Sequence, residues 1–497
     1  MIEERGRRGK LAITLAPVVV LALVTLQARE AGALVQVSRD PYGNSECQHA
    51  TQVEPDTFSS GSTVVAAFQS GRCFDGGASN IGFATTQDGG LTWTSGFLPS
   101  LTVHSDPPGP YDRATDPTVA YDAAHGVWMI SSLGLSVTRS GVVGAAVVIS
   151  RSVDGGLTWS APIVVSVATG NTQYDKNWTA CDNWPSSPFY GSCHTSWDDP
   201  SQGDKLFVST SSDGGLSWSP KTSPGGNATG LGGIPVAQPA GVVIVPASNA
   251  VGTAIIAFQS TNGGATWTQA RRVAAVIAHT VASDLRVFAA LPSADVDAAG
   301  KVYVVWSDCR FRLGCASNDL VMSTSTDGLN WTPVVRIPID PTISSADHFL
   351  PGLAVDHATS GGAAQLALTY YFYPDANCTE TTCQLFVGFV SSADGGATWT
   401  APRTLAGPVS LTSLADTSEG RMVGDYMSTS LVDGGGALGV FALADPPAGS
   451  VFDEAMFAEI VPPAAVAEAE WRRVQPGEPV LSTRSGRAIP EQPLRTP

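Results

Sequence analysis

Basic residues are scarce in this chain. Lysine and arginine number 27 against 44 aspartates and glutamates, a formal net charge of −17. Without a cationic surplus a surface cannot displace the counterions of a nucleic-acid backbone, so a nucleic-acid partner is excluded. Charged residues of either sign make up only 14%, while 43% are hydrophobic, which excludes a wholly disordered chain. No long apolar run follows the N-terminal segment, so no integral membrane domain is expected in a mature protein. CxxC, HExxH, a Gly-x-Ser-x-Gly elbow and a phosphate-binding glycine loop are all missing. Those gaps remove a zinc knuckle, a helical zinc-protease site, an α/β-hydrolase nucleophile and a nucleotide pocket. No cofactor and no metal is expected.

Glycine (52) and proline (34) are plentiful, which favours many turns and short strands over long helices. A chain of 497 residues exceeds one ordinary compact unit, so either two domains or a repetitive architecture is expected.

The N-terminus carries Arg5, Arg7, Arg8 and Lys10, then an apolar run from Leu11 to Leu26, then Ala31-Gly32-Ala33. A basic region, an apolar region and a small-residue cleavage site describe a secretory signal over residues 1–33. The protein is therefore expected outside the cytoplasm, secreted or periplasmic. Eight cysteines suit that compartment, because it permits disulfides. Proximity in sequence suggests Cys47 with Cys73, Cys181 with Cys193, Cys309 with Cys315, and Cys378 with Cys383. The C-terminal residues 462–497 are rich in proline and lack apolar periodicity, so they read as a loose tail.

One pattern recurs. Thr86-Gln87-Asp88-Gly89-Gly90-Leu91-Thr92-Trp93 returns, with small changes, around Asp154, Asp213, Asn262, Asp327 and Asp394, each copy ending in tryptophan. An acidic or amide side chain and a hydroxyl can accept bonds from the turn's own N–H groups. The glycines supply positive φ, and the tryptophan offers an apolar face to a neighbouring unit. These aspartates are structural. Each interval between copies holds strand-like runs, for instance Pro117 to Asp122, Val127 to Leu133 and Gly144 to Ser150 before one corner and Thr158 to Val165 after it. Four short antiparallel strands, repeated, predict an all-β β-propeller over residues 34–461 with the corner between third and fourth strands. Three strand candidates after the last corner make a seventh blade the economical count, with six as the alternative. Leu34 to Ser38 would supply that blade's outer strand.

The repeated pattern resembles the Asp-box, or bacterial neuraminidase (BNR) repeat, of the sialidase superfamily. The resemblance implies a glycoside hydrolase acting on terminal sugars, with three arginines on a sugar carboxylate, an aspartate acid/base and a tyrosine nucleophile. Guanidinium forks match carboxylate geometry, and a tyrosine nucleophile departs from the usual pair of carboxylates. The Phe/Tyr-Arg-Ile-Pro sequence usual in sialidases is absent before the first corner; Arg336-Ile337-Pro338 follows the fifth. A non-catalytic propeller that binds glycans or proteins at a cell surface is the alternative. Either way the partner is a glycan or glycoprotein, and a monomer is expected.

Propeller geometry sorts the candidates, because loops opposite the corners gather around the central channel. The clamp best matching the family is Arg72, Arg310 and Arg421, and the nucleophile Tyr426. Asp56, Asp116 or Asp425 would serve as acid. Arg113, Asp175, Trp197 and Tyr371 belong to the same face and would contact the sugar. Glu54 and Lys176 enter that face as well.

Overall fold

The computed structural model describes residues 34–449 and 451–462. The expected signal segment and nearly all of the expected tail lie outside them. The described chain is all-β, its helical elements limited to four single 3₁₀ turns.

Every named strand pair is antiparallel. The first two sets of four strands are Gln52–Ser60, Thr63–Arg72, Ala78–Thr86 and Thr94–Phe97, then Arg113–Asp122, Val127–Thr138, Gly141–Ser152 and Ile163–Val167. They join through the pair Ala78 and Ala114. Asp175–Cys181, Cys193–Asp199 and Lys205–Ser211 form the third set, with Thr222 bridging to Val208 at its outer edge. Val236–Ala237, Val243–Asn249, Ala254–Ser260 and Arg271–Ala275 follow, then Ser293–Val296, Val302–Asp308, Asp319–Ser325 and Val335–Arg336. The sixth set is Asp347–Val355, Leu366–Tyr373, Gln384–Ser392 and Arg403–Ser410. In the last set, Ser428–Val432, Gly436–Ala448 and Val451–Val461 are completed by Val35–Gln36 from the other end of the chain. Val35 faces Ala458 in that pairing.

Strands in the middle of a set are buried on both faces, because neighbouring sheets cover them. Val127 to Leu135 is buried without interruption. First strands of adjacent sets are tied by polar side chains. Val119 N donates to Asp56, Lys176 N to Asp116, Leu353 N to Ser293, and Thr57 N to Ser428. The last of these links the seventh set to the first.

The repeated corners sit between third and fourth strands and close on themselves as their side chains dictate. Asp154 Oδ1 accepts from the N–H groups of Leu157 (3.1 Å) and Thr158 (3.0 Å), and its Oδ2 from the Thr158 hydroxyl (2.6 Å). Burial opposes ionisation, but these bonds hold the Asp154 carboxyl down at about 2. Gly156 has φ 82°, and a Cβ there would meet Val65 of the preceding set at 2.5 Å. Trp159 packs on Phe83 of that same set, ring centroids 5.7 Å apart. Asn262 keeps the scheme with an amide, its Oδ1 accepting from Thr266 N and its Nδ2 donating to the Thr266 hydroxyl.

All four expected disulfides are present: Cys47–Cys73, Cys181–Cys193, Cys309–Cys315 and Cys378–Cys383. Among the described residues no helix is long and apolar enough to cross a membrane.

Candidate functional site

Three consecutive sets begin their first strand with the same irregularity. Register shifts fall between Val53 and Asp56, between Thr115 and Thr118, and between Asp175 and Trp178. At each shift one residue takes a left-handed conformation: Glu54 (φ 62°), Asp116 (φ 50°) and Lys176 (φ 49°). A bulge re-aims the side chain it carries, and a non-glycine residue held there costs on the order of 1–3 kcal/mol. All three side chains meet.

Lys176 is the hub. Its ammonium forms a very short contact with Asp425 Oδ2 and lies 3.9 Å from Asp116 Oδ2 and 4.0 Å from Glu54 Oε1. Asp425 is also forked by Arg286, Nε to Oδ1 at 2.6 Å and Nη2 to Oδ2 at 2.5 Å. The remaining Arg286 nitrogen, Nη1, reaches Glu419 at 2.5 Å. Glu54 Oε1 accepts from Asp425 N at 3.2 Å, and Gln69 Nε2 donates to its other oxygen. Asp175 Oδ1 accepts from Lys176 N at 2.9 Å. Directly across the strand pair stands Asp198, buried, with Oδ1 lacking a partner.

These environments push the carboxyls apart. Burial, reinforced by Asp116, raises Glu54 to about 8. Burial likewise raises Asp175 to about 7, against the pull of Lys176. At Asp425 burial acts in the same direction but loses to Arg286 and Lys176, and the group stays well below the usual carboxylate range. Neighbouring carboxyls, one protonated and one ionised at neutral pH, are the arrangement that acid/base chemistry needs.

Arg286 arrives from far away in sequence. The stretch between the fourth and fifth sets crosses to the approach to the seventh, where Leu285 pairs with Arg421 and Arg286 N donates to Arg421 O at 2.8 Å. Two disulfide loops hold this stretch. Ile277 O accepts from Cys309 N at 2.7 Å, and Ser283 Oγ donates to Cys378 O at 3.0 Å.

Of the residues singled out from sequence, Asp116, Asp175 and Asp425 lie in this cluster. Tyr426 borders it, edge-on to Trp178 at 5.1 Å, with its hydroxyl donating to Pro117 O at 2.8 Å. Burial first, then Glu54 and Asp116, raise that hydroxyl well above its ordinary value. Arg72 is buried beneath, donating to Gly77 O at 2.6 Å and to the Met422 sulfur at 3.2 Å; burial and then Arg286 lower it to about 10.

The other candidates stand apart. Arg310 turns its fork onto Asp308 in its own loop, at 2.8 and 2.7 Å. Arg113 is taken by Asp75 at 2.5 Å. Arg421 donates to Leu414 O at 3.1 Å, with Glu380 at 3.9 Å. A three-arginine clamp is therefore not assembled. Trp197 lies in the core between Tyr174 and Phe207, and Tyr371 is buried with its hydroxyl on Ala442 O at 2.9 Å; neither ring is free to contact a sugar. Asp56 faces another way, accepting from Val119 N at 2.7 Å.

Arg286 and Glu419 were not visible in the sequence as site residues. They carry no motif, and only the crossing stretch brings them in.

No protein-family model and no curated protein matches this chain. Among solved structures it is similar to a protein of unknown function from Dyadobacter fermentans, at 16% identity over 73% of this chain and 99% of that one, TM-score 0.47. It is also similar to a Hadza microbial sialidase, at 14% identity over 84% and 66%, TM-score 0.43. An ulvan lyase bound to its saccharide matches at 11% identity over 86% and 96%, TM-score 0.48.

Proposed function

We propose that this chain is a secreted, sialidase-like glycoside hydrolase built as a seven-bladed Asp-box propeller, with residues 1–33 as signal, 34–461 as propeller and 462–497 as tail. The strand sets, their first-strand links and the return from Ser428 to Thr57 support seven blades over six. The observation that carries the hydrolase reading is the meeting of Glu54, Asp116, Lys176 and Asp425, delivered by bulges to one point. In this reading Glu54, protonated at neutral pH, gives its proton to the glycosidic oxygen as that oxygen's bond to the anomeric carbon breaks. The Tyr426 oxygen bonds to that carbon, and its proton passes to Asp116. Water, giving a proton back to Glu54, then releases the sugar as Asp116 returns the proton to Tyr426. Asp116 is the second carboxylate, and Lys176 with Arg286 keeps Asp425 ionised and fixed. Glu54 is fully buried, so this reading requires the cluster to open to a sugar while Lys176 and Arg286 stay on Asp425.

A second reading, a propeller that binds glycans without turnover, is favoured by the Tyr426 hydroxyl already bonded to Pro117 and by Arg310 spent within its own loop. A panel of fluorogenic sialosides and neutral glycosides, run beside a glycan-binding array, separates the two. The hydrolase reading expects turnover that falls at least ~100-fold in Glu54→Gln, with Tyr426→Phe testing the nucleophile. Glycan binding without turnover on any glycoside leaves the second reading. Neither turnover nor binding removes both.

A further inference from the structure

Trp178 and the first strands of the sets line a cavity of about 660 Å³, within the range of small-molecule sites. It takes no part in the chemistry proposed above. Among the described residues its walls carry four carboxyl groups, Asp56, Asp295, Asp356 and Asp433, one imidazole, His357, and neither a lysine nor an arginine. Aromatic rings share those walls: Phe58, Trp178 and Trp184, all half-buried.

The carboxyls differ in what already engages them. Asp295 is occupied, accepting from Val355 N at 2.7 Å and meeting His357 Nε2 at 2.8 Å. Asp56 is buried and accepts from Val119 N. Asp356 accepts one bond, from Ala358 N at 2.9 Å, and among the described residues no group donates to the exposed Asp433 carboxylate. Trp184 is fixed by its indole N–H on Ala237 O at 2.7 Å and lies against His357 at 5.5 Å.

We propose that this cavity is a binding site for an organic cation, a protonated amine with an aliphatic stem, separate from the site of the proposed hydrolysis. Burial raises Asp56 to about 7 and His357 is already paired with Asp295, which leaves Asp356 and Asp433 as the carboxylates whose field the low-dielectric walls focus on whatever enters. Indole faces hold an ammonium by cation–π attraction and its methylenes by burial. A sugar acid or a phosphate would meet Asp356 and Asp433, with His357 as its one cationic partner and that already engaged by Asp295. Neutral aromatic ligands would gain the walls but not the carboxylates.

Spermidine serves as probe in calorimetric titration of the full chain. The expected result is one saturable site per chain whose affinity falls as NaCl is raised from ~50 to ~500 mM. Asp356→Asn with Asp433→Asn is expected to weaken it at least ~5-fold with little change in thermal stability, Asp433 being exposed and the half-buried Asp356 keeping its bond from Ala358 N through the amide oxygen. Asp106→Asn, which removes an exposed acid elsewhere, leaves it as it was. Octane-1,8-diol, a chain without charge, does not bind. Absence of a saturable site overturns the proposal. So does a response to Asp106→Asn equal to that of the paired variant, which would mean diffuse attraction to the acidic surface, or diol binding as strong as that of spermidine. Glycoside turnover is measured on the same variants and is independent of either outcome.

Discussion

Glu54→Gln is expected to make the protein more stable in mild alkali and to leave it unchanged in mild acid. Glu54 is held fully buried with its carboxyl raised to about 8, burial first and Asp116 second. Its folded value lies above its unfolded one. The stability it contributes is thus fully present below about pH 4.5 and is lost as pH rises through about 8. A carboxyl moved that far accounts for at most about 5 kcal/mol. Asp116 and Asp425 share the effect through mutual repulsion, so about 1–3 kcal/mol is expected for the single group.

The amide can be accommodated. Glu54 accepts from Asp425 N, a bond the new carbonyl keeps. Gln69 Oε1 has no partner, so a half-turn of that amide lets it accept the new N–H. Urea midpoints of wild type and variant, taken from about pH 5 to about pH 9, are the assay. At roughly 1 °C per kcal/mol for a chain this long, thermal shifts are small and denaturant midpoints resolve them better. Two curves that run parallel at every pH would refute the reasoning, because Glu54 would then be an ordinary ionised partner of Lys176.

Lys176→Met removes the cation shared by Asp425, Asp116 and Glu54 and should cost about 3–5 kcal/mol in urea unfolding. Adding Asp425→Asn should recover part of that loss, and strict additivity would count against the contact. Asp154→Ala deletes four bonds of one corner and should cost about 1–2 kcal/mol. Because the Asp154 carboxyl is lowered to about 2, wild type holds that advantage above about pH 4 and loses it as pH falls towards 2; an equal difference at pH 2 would contradict the bonding. Non-reducing peptide mapping should recover Cys309–Cys315 and Cys378–Cys383 as separate short loops, and a crossed pairing would deny their hold on the stretch bearing Arg286.

The parts legible in sequence are those whose geometry is fixed within a few residues. A corner needs only its own aspartate, hydroxyl, glycines and tryptophan, so six copies could be read directly, and the strands between them followed. Cys309 and Cys378 found partners close by for the same reason. Val35–Gln36 could be placed because the last set lacked an outer strand. Asp116, Asp175 and Asp425 were found as polar residues at the start of first strands. Glu54 and Lys176 stood beside them unassigned, because what makes them central is a left-handed bulge, and a bulge is set by the register of a partner strand. Arg286 depends on a pairing with Arg421 across two intervening sets, which no local signal carries. Arg310 was misleading, although Asp308 two residues before it was a visible partner. Trp197 and Tyr371 stand near loops in sequence but are buried in the core, which only the packing of neighbouring sheets decides.

The charges at the bulges are not a requirement of the fold. Leu350, in the sixth set, occupies the same irregular position, left-handed at φ 51° beside a register shift between Phe349 and Gly352. Its side chain is buried in an ordinary apolar core with Met427 and Val423. The backbone device therefore accepts leucine. Burying several carboxyls around one ammonium is rarely more stable than apolar packing of the same volume, and the left-handed conformations add their own strain. Glu54, Asp116 and Lys176 thus combine two costs at three adjacent positions where the sixth set bears only one. For stability alone, leucines would serve better at all three positions. Their presence, together with a carboxyl kept protonated near neutral pH a few ångströms from one kept ionised, is the reason to look for chemistry at this end of the molecule.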